Sequence, residues 1–423
     1  MRLLHTSDWH LGQNFFGFSR QYEHQQFLNW LLNTLQAQSI DVLLIAGDIF
    51  DTANPPSSAQ QQFYQFLCAA KLSIPHLQVI IIAGNHDSPT RLEVPTPFLA
   101  AFDMVVIGQV NRLHDKPLVE RSRNIDLEKF VIPLRNAQGT IEAWCLAVPF
   151  LRPSDVPKVD NADDAYLEGI ATLYAQVTEL ARSKKQAHHA LIAMGHCHIV
   201  GGKISQDSER KLVMGGVEML SSTIFSDDTA YVALGHLHLA QAVGSEHIRY
   251  SGTPLPMSFS EIKYPHQVIM IELNNGQLHS QTPLFVPRSV PLQRIPPEPQ
   301  AIEDVLALLE AQDWPSSTPD YLQPYLQVRV LLDKPEPSLR SKIEQVLENK
   351  GVRLVKIESS YKGREQNQEP AFLLLEDVQK IQPDEVFLRL YQQKYGNPPD
   401  TALLTLFRDL LNQYQSDEQG VEL

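Results

Sequence analysis

Cysteine is scarce in this chain: three in 423 residues, at Cys68, Cys145 and Cys197, none in a Cys-x-x-Cys pair. Three separated thiols exclude a disulfide framework and read as the reduced cysteines of a cytoplasmic protein. Long apolar runs are missing as well. The longest, 42–46 and 79–83, fall far short of the roughly 20 residues that a membrane helix needs, so no membrane span is expected. The first residues, Met-Arg-Leu-Leu-His-Thr-Ser-Asp-Trp-His, place polar groups where a secretory leader keeps its apolar stretch. Positive charge is also in deficit. Thirty-five Lys and Arg face 49 Asp and Glu, a formal net charge of −14. This argues against an extended basic face that holds nucleic acid by charge alone. It leaves room for a phosphate substrate where bound divalent cations set the local field, or where a partner subunit supplies basic surface. No Gly-x-x-x-x-Gly-Lys-[Ser/Thr] occurs, so any dependence on ATP has to come from a partner.

What is present is 43% hydrophobic residues, enough for large cores, in a length that suits two or three domains. Residues 1 to about 275 alternate short apolar runs with helical patterns. The runs 42–46 (Val-Leu-Leu-Ile-Ala) and 79–83 (Val-Ile-Ile-Ile-Ala) suit strands buried on both faces. Between 3–7 and 42–46, Phe27, Leu28, Leu31, Leu32 and Leu35 recur at helical spacing, as do Phe63, Phe66 and Leu67 before the next run. Further strands are expected at 143–148, 190–194, 231–234 and 268–273, and a long helix over 163–184. The fold class is α/β, sheet layers flanked by helices. Six prolines between 283 and 299 mark a link or an extended crossing strand. Beyond them, 301–312 and 338–350 look helical and 325–332 and 352–358 strand-like, a small α+β unit. A polar run at 361–370 leads to two helix patterns split by Gly396-Asn397-Pro398-Pro399. The second carries Leu403, Leu404, Phe407, Leu410, Leu411 and Tyr414 on one face.

The chemistry sits at the ends of the apolar runs. Asp8-Trp9-His10 follows the first, Gly47-Asp48-Ile49-Phe50-Asp51 the second and Gly84-Asn85-His86-Asp87 the third. Gly195-His196-Cys197-His198 and Gly235-His236-Leu237-His238 follow two later ones. Ligands of open α/β sheets bind beyond the carboxyl ends of strands, so five clusters of Asp, Asn and His at five strand ends point to one place. Carboxylate, amide and imidazole donors without thiolate suit Mn²⁺ or a related octahedral ion better than structural zinc. One Asp can bridge two such ions. A pair roughly 3.5–4 Å apart can polarise a phosphoryl group and activate water for in-line attack. Alone, each motif reads as an ordinary turn or a satisfied loop histidine; the ordered set does not.

The set resembles the calcineurin-like metallophosphoesterase superfamily. His-Thr-Ser-Asp-Trp-His-Leu-Gly at 5–12, Ala-Gly-Asp-Ile-Phe-Asp at 46–51, Val-Pro-Phe-Leu-Arg-Pro at 148–153 and Tyr-Ser-Gly-Thr-Pro-Leu at 250–255 narrow the resemblance to the SbcD family of bacterial nuclease subunits. The resemblance implies a metallophosphoesterase nuclease domain over 1–280, a capping domain over 281–362 and a helical SbcC-binding segment over 371–423. It implies one ion held by Asp8, His10, Asp48 and His238, and a second by Asp48, Asn85, His196 and His236, with Asp48 bridging. His86 would stabilise the pentacovalent state and protonate the leaving oxygen, and Asp87 would orient His86. Mn²⁺ is the implied ion, with Mg²⁺ as the alternative. The implied activities are double-strand exonuclease and single-strand or hairpin endonuclease on DNA. The implied assembly is a homodimer within a heterotetramer with two SbcC-type ATPase subunits, serving DNA repair, replication and recombination.

Other residues read more plainly. His5, inside the first strand, is structural, and Asp51 is a turn group rather than a ligand. Cys197 is a small buried side chain. Arg91 and Arg152 lie in loops beside the motifs, where contact with DNA phosphates and plain solvation suit them equally. The role of His198 stays open. The same metal site would also serve a small-substrate phosphatase or cyclic-nucleotide phosphodiesterase. A non-catalytic scaffold would be expected to have lost ligands, which this chain has not.

Overall fold

In a computed structural model, residues 1–361 are described apart from 113–124, 160–163 and 206–218, together with isolated positions between 387 and 407. Residues 1–360 form one compact unit and 361–423 a second.

The doubly apolar runs become central strands of a first sheet. Arg2–Thr6, Val42–Ala46, Gln78–Ile82 and Met104–Ile107 lie parallel, side by side in that order, with Gln267–Asn274 and then Gln277–Phe285 added antiparallel beyond Arg2–Thr6. Side chains alternate between faces. Leu4, Leu43, Ile45, Val79 and Ile81 pack under the helices Gln21–Ala37 and Ser57–Ser73. Leu3, Val42, Leu44, Ala46, Ile80 and Ile82 face a second sheet. Both faces are dry, so the runs show no polar alternation.

The second sheet has the order Val131–Arg135, Ile141–Ala147, Ala190–His196, Thr229–Gly235, Ser245–Tyr250, Gln241–Val243, with a parallel centre and antiparallel edges. The helix Ala165–Lys184 covers its outer face through Ile170, Leu173, Val177 and Ala181. Asp164 caps it, its carboxylate accepting the N–H groups of Tyr166 and Leu167. The layers therefore run helix, sheet, sheet, helix. A polar tie crosses the interior. His5 Nε2–H donates to the Leu234 carbonyl at 3.1 Å, which leaves Nδ1 to accept from the Tyr231 hydroxyl at 3.0 Å. Burial pushes the His5 imidazole down to about 3, so it is a neutral strut.

A third sheet, Leu292–Gln300, Tyr325–Leu332 and Arg353–Tyr361, carries the helices Ile302–Glu310 and Leu339–Leu347. The proline-dense stretch is not a linker throughout: Pro296, Pro297 and Pro299 lie in Leu292–Gln300, an edge strand whose register shifts between Ile295 and Gln300. Edge strands tolerate the missing N–H groups. A boundary at 280 falls inside Gln277–Phe285, a strand of the first sheet, so the sandwich runs past it. Phe15, Phe259, Val290, Leu292 and Tyr325 form one buried cluster between sandwich and third sheet. Most of segment 371–423 lies outside the described residues. Within it, Phe387, Tyr391, Leu403, Leu404 and Phe407 are helical, and the Phe387 and Phe407 rings stack with centroids 4.2 Å apart.

Candidate metal centre

The loops after the parallel strands meet at one rim. The segment after Arg2–Thr6 runs beside the one after Val42–Ala46: Asp8 N–H donates to Gly47 O, His10 N–H to Asp48 O and Leu11 N–H to Ile49 O, at 2.9–3.0 Å. Asp8, His10, Asp48 and His236 have φ of +54°, +46°, +49° and +103°, a region that non-glycine residues enter at a cost of about 1–3 kcal/mol. Glycine is required where loops touch. A Cβ on Gly84 would collide with the Asp48 backbone N and Oδ1, and one on Gly235 with the Ala46 carbonyl.

Three trios of donors converge: Asp8, His10 and His238; His10, Asp48 and His86; Asp8, Asp48 and His196. Within each, the donor atoms lie within 4.8 Å of one another. Asp48 joins the trios. Its Oδ2 is 3.7 Å from His10 Nε2 and 3.5 Å from His196 Nε2. Asn85 Oδ1 lies 3.0 Å from both His196 Nε2 and His236 Nδ1. The expected sets, Asp8–His10–Asp48–His238 and Asp48–Asn85–His196–His236, lie side by side with Asp48 between His10 and His196, and one trio, Asp8, Asp48 and His196, draws on both sets. They fit divalent cations on an observation of their own: neither ring nitrogen of the buried His10 makes a hydrogen bond. Unsatisfied buried polar atoms are rare without an ion or water, and this donor set is oxygen and imidazole throughout.

Surrounding groups aim the donors. His196 Nδ1–H donates to the Ala46 carbonyl at 2.8 Å, which presents Nε2 to the site. His238 Nδ1–H donates to Glu261 Oε1 at 2.9 Å, and Glu261 Oε2 accepts the Met257 N–H at 2.7 Å. The Asp8 carboxylate accepts from Ser7 Oγ and the His236 N–H, and its carbonyl from Thr253 Oγ1. Ser7, Thr253 and Glu261 were not legible as site residues. Ser7 and Thr253 fall within conspicuous motifs, whereas Glu261 carries no sequence signal.

The field is mixed. Burial favours the neutral Asp48 carboxyl, but the charge and hydrogen bond of His196, with His10 and His86, hold it well below the usual carboxylate range. Burial pulls His196 down while Asp48 and Asp8 raise it to about 9. Burial, with the His196 charge, pushes His236 down to about 3. Asp8 is raised by burial. An imidazolium beside a carboxylate is the arrangement a cation displaces, because ligation needs neutral histidine.

His86 is half-buried. Its N–H donates to Asp48 Oδ1 and its Nδ1–H to the Asp51 carbonyl, both at 2.8 Å, and its ring meets that of His10 edge-on at 4.8 Å. The expectation that Asp87 orients His86 is corrected here. The buried Asp87 carboxylate accepts the backbone N–H groups of Gly84 (2.9 Å), Phe50 (3.0 Å) and Ile49 (3.2 Å). It clamps two loops together, and Asp51 orients His86. Burial, with the Asp48 charge, pushes the Asp87 carboxyl up to about 6. Asp51 also places Oδ1 3.3 Å from His10 Nδ1.

His198 falls outside the donor trios. Its Nε2 is buried without a hydrogen bond, and its ring centroid is 6.4 Å from that of His236. Burial pushes the Cys197 thiol up to about 12, against a thiolate role. The Arg152 guanidinium lies 5.5 Å over the Phe150 ring, which meets the His196 ring edge-on at 6.3 Å. Arg91 is exposed and hydrogen-bonds Asn54 Oδ1.

Comparison with known proteins agrees with the geometry. The family model described as calcineurin-like phosphoesterase matches residues 1–240, and one described as type 5 capsule protein repressor C-terminal domain, the SbcD C-terminal model, matches 288–395. The SbcD component of the SbcCD nuclease from Rhodobacter capsulatus is 36% identical over 92% of this chain and 93% of its own. Its namesake from Escherichia coli K12 is 32% identical over 99% of this chain and 100% of its own. The one from Bacillus subtilis 168 is 33% identical over 66% of this chain and 67% of its own. With the family model covering the whole donor set and two relatives aligned almost end to end, the chain belongs to the SbcD family of calcineurin-like phosphoesterases and is a metal-dependent phosphodiesterase.

Proposed function

We propose that the chain hydrolyses DNA phosphodiester bonds at a two-metal centre, as a double-strand exonuclease and a single-strand or hairpin endonuclease. The observation that carries this reading is Asp48, one carboxylate oxygen poised between His10 and His196, with His86 hydrogen-bonded to its other oxygen. Divalent cations at the two donor groups, Mn²⁺ by donor type and Mg²⁺ as the alternative, supply Lewis acidity to the phosphoryl oxygens and lower the pKa of the attacking water. The chain's own residues do the rest. The Asp51 carbonyl fixes the His86 tautomer with its proton on Nδ1, and Nε2 is the nitrogen assigned here to the phosphate chemistry. In the protonated ring, Nε2–H stabilises the charged transition state and passes its proton to the leaving oxygen. Arg152, stacked on Phe150, would meet DNA phosphate.

The name the relatives share, which makes each of them the SbcD half of an SbcCD nuclease, supports an SbcC-type ATPase partner, which segment 371–423 would bind. We extend this reading to work in repair, replication and recombination in the cytoplasm. No helix among the described residues is long and apolar enough to cross a membrane. A homodimer inside the heterotetramer completes the reading; Val94, Phe98 and Phe102, close in sequence and exposed, are where an apolar contact would fit. The test is Mn²⁺-dependent cleavage of a labelled DNA hairpin beside a generic phosphomonoester, with and without SbcC and ATP. DNA cleavage that SbcC and ATP alter is expected. Turnover of the monoester alone would transfer the site to a small-substrate phosphatase.

A further inference from the structure

A buried ion pair outside the metal centre joins the third sheet to it. Arg20 and Glu23, 1% and 2% exposed, face each other with Arg20 Nε and Nη2 donating to the two Glu23 oxygens at 3.0 and 2.9 Å. From the third sheet, the Tyr325 hydroxyl donates to Glu23 Oε1 at 2.9 Å. On the sandwich side, Arg20 Nη1 donates to the Pro256 carbonyl at 2.7 Å. The next residue, Met257, donates its N–H to Glu261 Oε2, and Glu261 Oε1 accepts from His238. A second contact from the third sheet grips the same turn: Arg294 Nη2 donates to the Phe259 carbonyl at 2.7 Å. From Tyr325 to His238, each step is a short hydrogen bond or a covalent neighbour.

We infer that the third-sheet unit positions the metal centre, with Tyr325 and Arg294 holding the 256–261 segment and thereby setting the His238 imidazole through Glu261. The inference rests on the reading of His238 as a metal ligand. Both Glu261 oxygens are committed, one to His238 and one to Met257, so a shift of 256–257 moves the carboxylate that aims the ring. A buried ion pair such as Arg20–Glu23 is no more stabilising than well-packed apolar side chains of the same volume. What it adds here is a fixed register between two surfaces. Tyr325 and Arg294 are positioning residues in this scheme, and neither touches the reacting atoms.

The experiment measures Mn²⁺ binding to the full chain by calorimetry and by the spin-resonance signal of bound Mn²⁺, beside the thermal unfolding midpoint. Glu261→Gln should weaken one Mn²⁺ site about 10–100-fold, the usual range for a group that orients a ligand. Tyr325→Phe removes one hydroxyl and keeps the ring that packs on Phe15 and under Arg353. Alone or with Arg294→Met, it should weaken the same site about threefold to tenfold, a smaller loss because it acts through intervening groups. In the Glu261→Gln background it should add almost nothing. Trp314→Phe removes a hydrogen bond internal to the third-sheet unit, Trp314 Nε1–H to Gln293 Oε1; it should lower the midpoint and leave Mn²⁺ affinity unchanged. Wild-type Mn²⁺ affinity in a folded Tyr325→Phe chain, or losses that simply add to those of Glu261→Gln, would overturn the inference. His238→Ala separates the two levels: if it keeps both ions, the ligand assignment has failed; if it loses one while Tyr325→Phe loses nothing, only the positioning role has failed.

Discussion

Asp87→Asn discriminates between two accounts of the Gly84-Asn85-His86-Asp87 loop. At pH 7 the Asp87 carboxylate accepts three buried backbone N–H groups, from Gly84, Ile49 and Phe50. Asparagine keeps one acceptor oxygen and turns an amide N–H₂ group toward donors. At least one charge-assisted bond is lost, at about 1.5–3 kcal/mol, and a buried N–H is left unpaired, at about 1–3 kcal/mol. Together these come to about 2.5–6 kcal/mol. With an unfolding entropy of about 2.1 cal/mol/K per residue over residues 1–360, the midpoint should drop by about 3–8 °C. The loops that carry Asp48 and His86 lose their common clamp. A misplacement on the order of 1 Å costs about 10²-fold in rate.

The competing account pairs Asp87 with His86 as carboxylate and imidazole. Removing the carboxylate charge would then lower the His86 titration midpoint and leave stability nearly intact. Calorimetric unfolding and an NMR titration of His86 decide between them. An unchanged midpoint together with a lowered His86 pKa would refute the clamp, because the Asp51 carbonyl, which holds His86 Nδ1, is untouched by the substitution.

Three further outcomes follow from the site. His86→Ala should cut phosphodiester cleavage by about 10²–10⁴-fold, the usual contribution of a positioned acid, with Mn²⁺ still bound; cleavage at the wild-type rate would remove its assigned role. Asp48→Ala should lose both ions, since its carboxylate lies between the two imidazole groups, and elemental analysis finding two ions per chain in that variant would overturn the bridge. Deleting 371–423 should abolish capture by an SbcC-type ATPase while metal-dependent turnover of a minimal phosphodiester continues; unchanged affinity would move the docking surface elsewhere.

The sandwich was legible because its central strands are dry on both faces: residues 42–46 and 79–83 show it as unbroken apolar runs, and the helices between them as 3.6-residue stripes. The candidate donors were legible for a related reason, since Asp, Asn and His gathered where strands end leave short motifs in order. Partners that the fold brings together from afar were not legible. Glu261 lies 23 residues from His238 with no pattern between them, and Glu23 meets Tyr325 across 302 residues. Asp87 misled through adjacency. Standing next to His86 in sequence, it looked like that ring's partner, yet its carboxylate folds back onto three backbone N–H groups. Composition left the proline-dense stretch open between a link and an extended strand; Leu292–Gln300 is an edge strand, whose unpaired side absorbs prolines that a central strand could not.

The division of the donors between the sheets explains why two sheets are needed at all. Asp8, His10, Asp48, Asn85 and His86 follow strands of the first sheet, and His196, His236 and His238 end or follow strands of the second. A single parallel sheet presents one row of loops. Two stacked sheets, tied at their rim, present two rows facing each other, so one carboxylate oxygen can lie within 3.7 Å of imidazoles from both. The tie belongs to the chain itself: His196 Nδ1–H on the Ala46 carbonyl and the His236 N–H on the Asp8 carboxylate both cross from one sheet to the other. Left-handed backbone at Asp8, His10, Asp48 and His236 would relax in an untethered loop. Here the cross-sheet bonds and the Asp87 clamp hold it, so the strain is spent on closing the distance between rows. The side chains are thus gathered from both sides in advance, which is the preorganisation that the proposed two-ion phosphoryl chemistry would require.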